Sequence, residues 1–213
     1  MKIKIQQISH PIIKDKGVQL FVKRLDQNHN YVSGNKWFKL KYNLIEAKRL
    51  NYKSILTFGG AYSNHIVATA YLAKKNNFHS IGIIRGEEYR PLNPTLEYAL
   101  SCGMQIHYLS RDDYRLKDST YYLEKLKLRF GNFYLLPEGG TNKLAIKGCA
   151  EILDDHDRQN YICCPVGTGG TIAGIINSTK KNQNVIGFNV LKGSLKLEKK
   201  ILELVNRNNY KLI

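Results

Sequence analysis

"FGGAYSNHIVATA", residues 58–70, joins the apolar run "SILTF" (54–58) to a stretch with helical spacing. Gly59 and Gly60 stand at the junction, and Ser63, Asn64 and His65 crowd the helix start. An apolar strand turning on glycine into a helix is the joint of a parallel sheet, so the stretch predicts an α/β fold. Glycine admits backbone angles closed to other residues and lets a ligand approach the main chain. Free N–H groups at a helix start receive anions, so a carboxylate is the expected guest. Ser63 also suits the N-cap of a helix beginning near Asn64, a structural role that competes with ligand binding. A Ser-His hydrolytic pair fits poorly, because the G-x-S-x-G elbow is absent.

The same alternation extends in both directions. Apolar runs recur at "SIGIIR" (80–85), "QIHYLS" (105–110), "FYLLP" (133–137), "YICCPV" (161–166) and "VIGFNV" (185–190). Between them lie helical stretches: "KWFKLKYNLIEAKRL" (36–50), with Trp37, Leu40, Leu44 and Ala47 on one stripe, then Ile66 to Lys74 and Tyr114 to Leu128. Strand and helix in alternation predict parallel sheets with right-handed crossovers. Such sheets bind ligands beyond the carboxyl ends of their strands. After a helix-like stretch near Ser194 to Val205, "NRNN" reads as a turn and "YKLI" (210–213) as another strand. An end on an apolar run predicts either a truncated chain, the favoured reading, or a last strand that is a short sheet edge.

The 213 residues, 43% of them hydrophobic, suffice for one large domain or two small ones sharing a core. No segment approaches the ~20 apolar residues of a membrane span. The start, "MKIKIQQISHPIIKDKG", lacks the apolar core of a signal peptide, so a cytoplasmic protein is expected. Cys102, Cys149, Cys163 and Cys164 form no C-x-x-C pair and read as small buried hydrophobes. The net charge of +16 raises nucleic acid as a partner. The basic residues are scattered over helical stretches without interleaved aromatics, which favours a solvated surface instead.

Two further segments carry chemistry. In "SGNKWFKL" (33–40), Gly34 and Asn35 form a turn and Lys36 opens a helix. A lysine there is ordinarily solvated. The helix dipole and partial desolvation would both lower its pKa, and a neutral amine condenses with a carbonyl. In "PVGTGGTIAG" (165–174), Gly167, Gly169 and Gly170 with Thr168 and Thr171 make a strand–loop–helix turn rich in donors. That is either a phosphate cradle or a plain tight turn. It is neither a Walker loop nor a dinucleotide fingerprint, since Ile172 occupies the third glycine position.

A lysine for an aldehyde, a helix start for a carboxylate and a cradle for a phosphate together fit pyridoxal 5′-phosphate with a small amino acid as substrate. "SGNKWFKLKYNL", "TFGGAYSNHIVATA", "LPEGGTNKLAIKG" and "VGTGGTIAGI" occur in this order. On these motifs the chain resembles the fold-type II pyridoxal-phosphate enzymes, specifically the D-cysteine desulfhydrase and 1-aminocyclopropane-1-carboxylate deaminase family.

The resemblance implies a two-domain, tryptophan-synthase-beta-like α/β fold. Residues 1–50 and 139–213 would belong to the large domain, and 51–138 to a small domain inserted into it. Lys36 would carry the internal aldimine and move protons; Lys36 and Ser63 are the candidate catalytic residues. Asn64 would hydrogen-bond the cofactor's 3′-oxygen. Ser63, Asn64 and His65 would receive the substrate carboxylate, and Gly167, Thr168, Gly169, Gly170 and Thr171 the phosphate. The implied activity is a lyase or deaminase releasing sulfide or ammonia, in a homodimer. The alternative is a truncated, silent relative that binds the cofactor or nothing. The family's substrate-side tyrosine and the group facing the pyridine nitrogen would lie beyond the end of this sequence.

Overall fold

The computed structural model of the chain describes residues 3–190 and 194–213. It opens with an antiparallel hairpin of β1 (Ile5–Ile8) and β2 (Leu20–Lys23), separated by the short α1 (Pro11–Asp15). Lys23 anchors the hairpin by ion pairs to Asp154 and Asp157. Then come α2 (Asn35–Arg49), β3 (Ser54–Gly60), α3 (Asn64–Lys75), β4 (His79–Arg85), α4 (Pro94–Ser101) and β5 (Gln105–Leu109). Next are α5 (Arg111–Arg115), α6 (Thr120–Phe130), β6 (Tyr134–Leu136) and α7 (Lys143–Cys149). The chain closes with β7 (Tyr161–Val166), α8 (Gly170–Ser178), β8 (Asn184–Asn189), α9 (Ser194–Leu202) and β9 (Tyr210–Leu212).

Two parallel sheets result. One has the order β5-β4-β3-β6, the other β7-β8-β9. In the first, Ser54 lies opposite His79 and Ile55 opposite Tyr134, so β3 and β4 are central and apolar on both faces. Leu56, Phe58, Ile81 and Ile83 pack under Tyr114 and Leu126 on one face. Ile84 packs with Ile66, Ala70, Leu96 and Ala99 on the other. The stripe of Leu40, Leu44 and Ala47 seats α2 against Ile55, Leu72 and Leu136. Among the described residues no helix is long and apolar enough to cross a membrane.

Three sequence expectations change. The helical stretch from Tyr114 to Leu128 is two helices. Ser110 caps α5 by accepting from the Asp113 N–H, and Ser119 caps α6 by accepting from Tyr122 N–H at 3.3 Å. A serine that can cap a new helix start competes with the continuous one, and here it prevails. Cys163 is exposed rather than buried, because it points away from α8 on a strand at the sheet's edge. The N-terminal hairpin is antiparallel and falls outside the strand–helix alternation.

Helices α2 and α7 approach each other closely at Gly148. A β-carbon on Gly148 would lie 1.9 Å from the Phe38 carbonyl oxygen. No rotamer relieves a clash with backbone, so the helices would have to separate. Gly148→Ala is expected to lower the unfolding free energy by ~3 kcal/mol in urea titrations. Gly17→Ala, at a positive φ with open space around it, should cost only about 1 kcal/mol. Equal effects of the two substitutions would contradict this account of the α2–α7 contact.

Candidate active site

A cavity of about 470 Å³ collects residues from distant parts of the chain. Asn35, Lys36 and Lys39 come from the first turns of α2, and Asn64 from the first residue of α3. Gly139 comes from the turn after β6; Gly167, Thr168, Gly169 and Thr171 come from the junction of β7 and α8. Lys36 and the threonine–glycine turn thus share one cavity, as do most of the expected site residues. Gly170, Ser63 and His65 do not line it.

Lys36 is held in place by its neighbour: Asn35 Nδ2 donates to Thr171 Oγ1 at 2.7 Å, tying the start of α2 to the start of α8. Burial lowers the Lys36 pKa, with the nearby Cys149 opposing that shift. A reactive amine needs this, since only the unprotonated nitrogen has a lone pair to offer.

One turn on, Lys39 is the residue that sequence reasoning missed. It is 1% exposed, and its Nζ donates to the Gly139 carbonyl at 3.0 Å and to Thr141 Oγ1 at 2.9 Å. It also donates to Thr168 Oγ1 at 3.3 Å. Lysine ion pairs among the described residues involve Lys23, Lys41, Lys117 and Lys180, so neither Lys36 nor Lys39 has a carboxylate partner. Burial, and then the charge of Lys36, lower the Lys39 pKa to about 7. The i, i+3 spacing of Lys36 and Lys39 was a readable signal, but it also describes a solvated helix face.

The turn is shaped by contacts that exclude side chains. Gly169 has φ +84 and caps α8, while a β-carbon on Gly170 would stand 2.7 Å from Thr141 Cγ2. Gly170 therefore has no room for a side chain beside Thr141. Thr141 and Thr168 hydroxyls lie 2.6 Å apart, and Thr171 Oγ1 accepts from Asn35, which leaves its own proton to donate. Asn142 accepts from the Ala145 N–H to cap α7, and its Nδ2 donates to Asn43 Oδ1 at 2.7 Å. Tyr134 donates to the same oxygen at 3.0 Å, so α2, β6 and α7 are locked behind the lysines.

At the start of α3 the expectations divide. Ser63 is the N-cap and accepts from the His65 N–H at 3.2 Å, which leaves its hydroxyl proton free. Gly59 must lack a side chain, since its β-carbon would stand 3.0 Å from Ser63 Oγ and 2.6 Å from Ile66 Cγ1. His65, expected with Ser63 and Asn64 to receive the substrate carboxylate, has its side chain turned into the core. Its ring is buried beneath the Glu138–Gly140 turn, where a β-carbon on Gly140 would lie 3.0 Å from Cε1. Thr57 Oγ1 donates to the Leu136 carbonyl at 3.0 Å, so it accepts from His65 Nε2 at 2.8 Å. That leaves Nδ1 a bare acceptor with no partner. Burial, then the charges of Lys36 and Lys39, hold the His65 pKa well below the usual value, so the ring is neutral. The apolar setting and two neighbouring cations make a third cation there unfavourable.

The cavity thus combines an amine with lowered basicity, a second buried amine without counter-charge, and a turn rich in hydroxyl and amide donors. An aldehyde-bearing phosphate fits this set. The sequence profile of the family described as pyridoxal-phosphate dependent enzymes matches residues 3–200. This chain belongs to that family. Pyridoxal 5′-phosphate is the cofactor of its members.

Among relatives of this pyridoxal-phosphate family member, a Thermotoga maritima protein provisionally named 1-aminocyclopropane-1-carboxylate deaminase is 34% identical over 185 residues. The match covers 82% of this chain and 59% of that protein. The Arabidopsis thaliana mitochondrial protein named bifunctional D-cysteine desulfhydrase/1-aminocyclopropane-1-carboxylate deaminase is 32% identical over 178 residues. That match covers 75% of this chain and 44% of the plant protein. The crystal structure of an ACC deaminase homologue superposes with a TM-score of 0.85 at 22% identity, covering 100% of this chain and 71% of that one. The fungal L-serine ammonia-lyase from Rhizomucor miehei superposes with a TM-score of 0.67 at 13% identity, over 94% of this chain and 63% of that one. The fold is that of the fold-type II enzymes. The chain spans about three-fifths or less of these two curated relatives.

The displaced Lys39 pKa makes stability depend on pH with a definite sign. Between about 7 and the usual 10.5 the unfolded chain carries this proton and the folded chain does not. Raising pH across that window therefore favours the folded state. The melting temperature of the ligand-free chain should climb from pH 7 to about pH 8.5, below the range in which the buried Cys149 and Cys164 thiols act in the opposite sense, and the climb should shrink in Lys39→Met. A Lys39→Met profile parallel to wild type would contradict the assignment.

Proposed function

We propose that this chain holds pyridoxal 5′-phosphate through Lys36 and serves a lyase or deaminase that releases sulfide or ammonia from a small amino acid. The reading carries the D-cysteine desulfhydrase and 1-aminocyclopropane-1-carboxylate deaminase activities named for its relatives. Residues 51–138, which hold the β5-β4-β3-β6 sheet, are taken as the inserted small domain. One observation supports this most: the lowered-basicity Lys36 shares a cavity with the Gly167–Thr171 turn.

Each residue then has a task set by its chemistry. Lys36 Nζ would hold the aldehyde carbon and, once displaced by the substrate's amine, accept or return a proton at the substrate's carbon. Thr168, Thr171, the Gly167 and Gly169 amides and Lys39 would hold the phosphate. Asn64 would donate to the ring's 3′-oxygen. The free Ser63 hydroxyl proton and the helix-start amides would orient the substrate carboxylate. His65 supports that start from behind by fixing α3 to Thr57. The cofactor, when bound, supplies an electron-withdrawing ring that stabilises negative charge next to the amino nitrogen.

Adding pyridoxal phosphate to the protein should give a visible absorbance band that borohydride reduction fixes to the chain. Lys36→Ala should lose both. An unchanged band with Lys36→Ala would overturn the assignment, whereas cofactor uptake without turnover of any small amino acid would leave only the binding role. Thr168→Val should weaken cofactor retention by roughly tenfold, the equivalent of one charge-assisted hydrogen bond. Equilibrium dialysis measures it, and equal affinity would contradict the proposed cradle.

A further inference from the structure

A second cavity, about 310 Å³, lies at the carboxyl end of the first sheet and is lined by Arg85, Arg111, Tyr114, Arg115, Lys117 and Glu138. Its size is that of a small-molecule pocket. The residues come from the connections that leave three strands. Arg85 ends β4, α5 follows β5, and Glu138 follows β6. This is the side on which parallel sheets take ligands. The Arg85 guanidinium reaches over the end of β3, 4.0 Å from where a β-carbon of Gly60 would stand.

The charges here do not balance. Arg115 pairs with Asp112, and Lys117 with Asp118 and Glu138. The arginine ion pairs among the described residues involve Arg24, Arg49, Arg90 and Arg115, so Arg85 and Arg111 have no carboxylate. Arg85 and Lys117 approach the ring of Tyr114, at 6.0 Å and 5.1 Å from its centroid. Tyr114 is 3% exposed and stands edge-on to Phe58, so it is a fixed platform. Its hydroxyl is buried, and the Glu138 carboxylate beside it is the acceptor at hand.

We propose that this cavity is an anion site, separate from the cofactor cleft, for a small ligand of the diphosphate class, with Arg85 and Arg111 as its principal holders. Two unpaired guanidinium groups offer forked donors to phosphoryl oxygens, while Lys117 answers Asp118 and Glu138. Glu138 borders this cavity while the adjoining Gly139 lines the cofactor cleft, so the two sites meet at one peptide. The inference does not rest on the catalytic reading above.

Pyrophosphate is the probe. It is titrated calorimetrically into the whole chain at about 0.15 M ionic strength, with excess pyridoxal phosphate present to fill the other cradle. Saturable one-to-one binding is expected, weakened at least roughly tenfold in R85Q/R111Q and within twofold of wild type in Thr168→Ala. Both arginines are exposed, so the double variant should melt like wild type; if it does not, R111Q alone is measured for the same loss. Absence of saturable binding overturns the proposal. So does equal affinity in the arginine variant, or a loss in Thr168→Ala as large as in the arginine variant, which would place the pyrophosphate in the cofactor cradle.

Discussion

A buried lysine amine without a carboxylate is the constraint on which the site depends. Lys39 is inside the protein, ringed by one carbonyl and two threonine hydroxyls. Neutral acceptors satisfy its hydrogen bonds but not its charge, so burial drives its proton off. Lys36, one turn away and half-buried, also has its pKa lowered by burial. Two amines stripped of counter-ions beside a turn full of donors form a place that is unfavourable when empty and favourable to a dianion. The fold has built half of an ion cluster.

The rest of the structure serves to keep that half in position. Asn35 ties α2 to Thr171, and the Asn43–Asn142–Tyr134 network ties α2 to the segment following β6. Glycines at 140, 148 and 170 remove the side chains that would otherwise hold these elements apart. His65 fills the space under the Glu138–Gly140 turn as a neutral ring, so the region gains no third cation. Rigidity here is useful, because a nucleophile and a phosphate cradle must match the length of a single ligand.

Much of this was legible in the sequence. The apolar runs at 54–58, 80–85 and 161–166 and the stripe of α2 depend on local periodicity, and they appear as strands and helix within a residue or two. Lys36 and the 167–171 turn were readable because each is a local anomaly: a lysine where a helix begins, and glycines packed with threonines. Lys39 was not, since its burial depends on Thr141 and Thr168, roughly a hundred residues or more away. The same holds for His65, whose burial is imposed by Thr57 and Gly140. The break between α5 and α6 was hidden because Tyr114 and Leu126 do share one core, although they lie on different helices.

Proton uptake on phosphate binding tests the central claim most directly. Pyridoxine 5′-phosphate carries the phosphate but no aldehyde, so it cannot condense with Lys36. Titrated calorimetrically at pH 8 in buffers of differing ionisation enthalpy, it should draw close to one proton into the protein, because the arriving dianion restores the charge on Lys39. Lys39→Met should draw none. Binding with no proton uptake by the wild-type chain, or with the same uptake in Lys39→Met, would contradict the account.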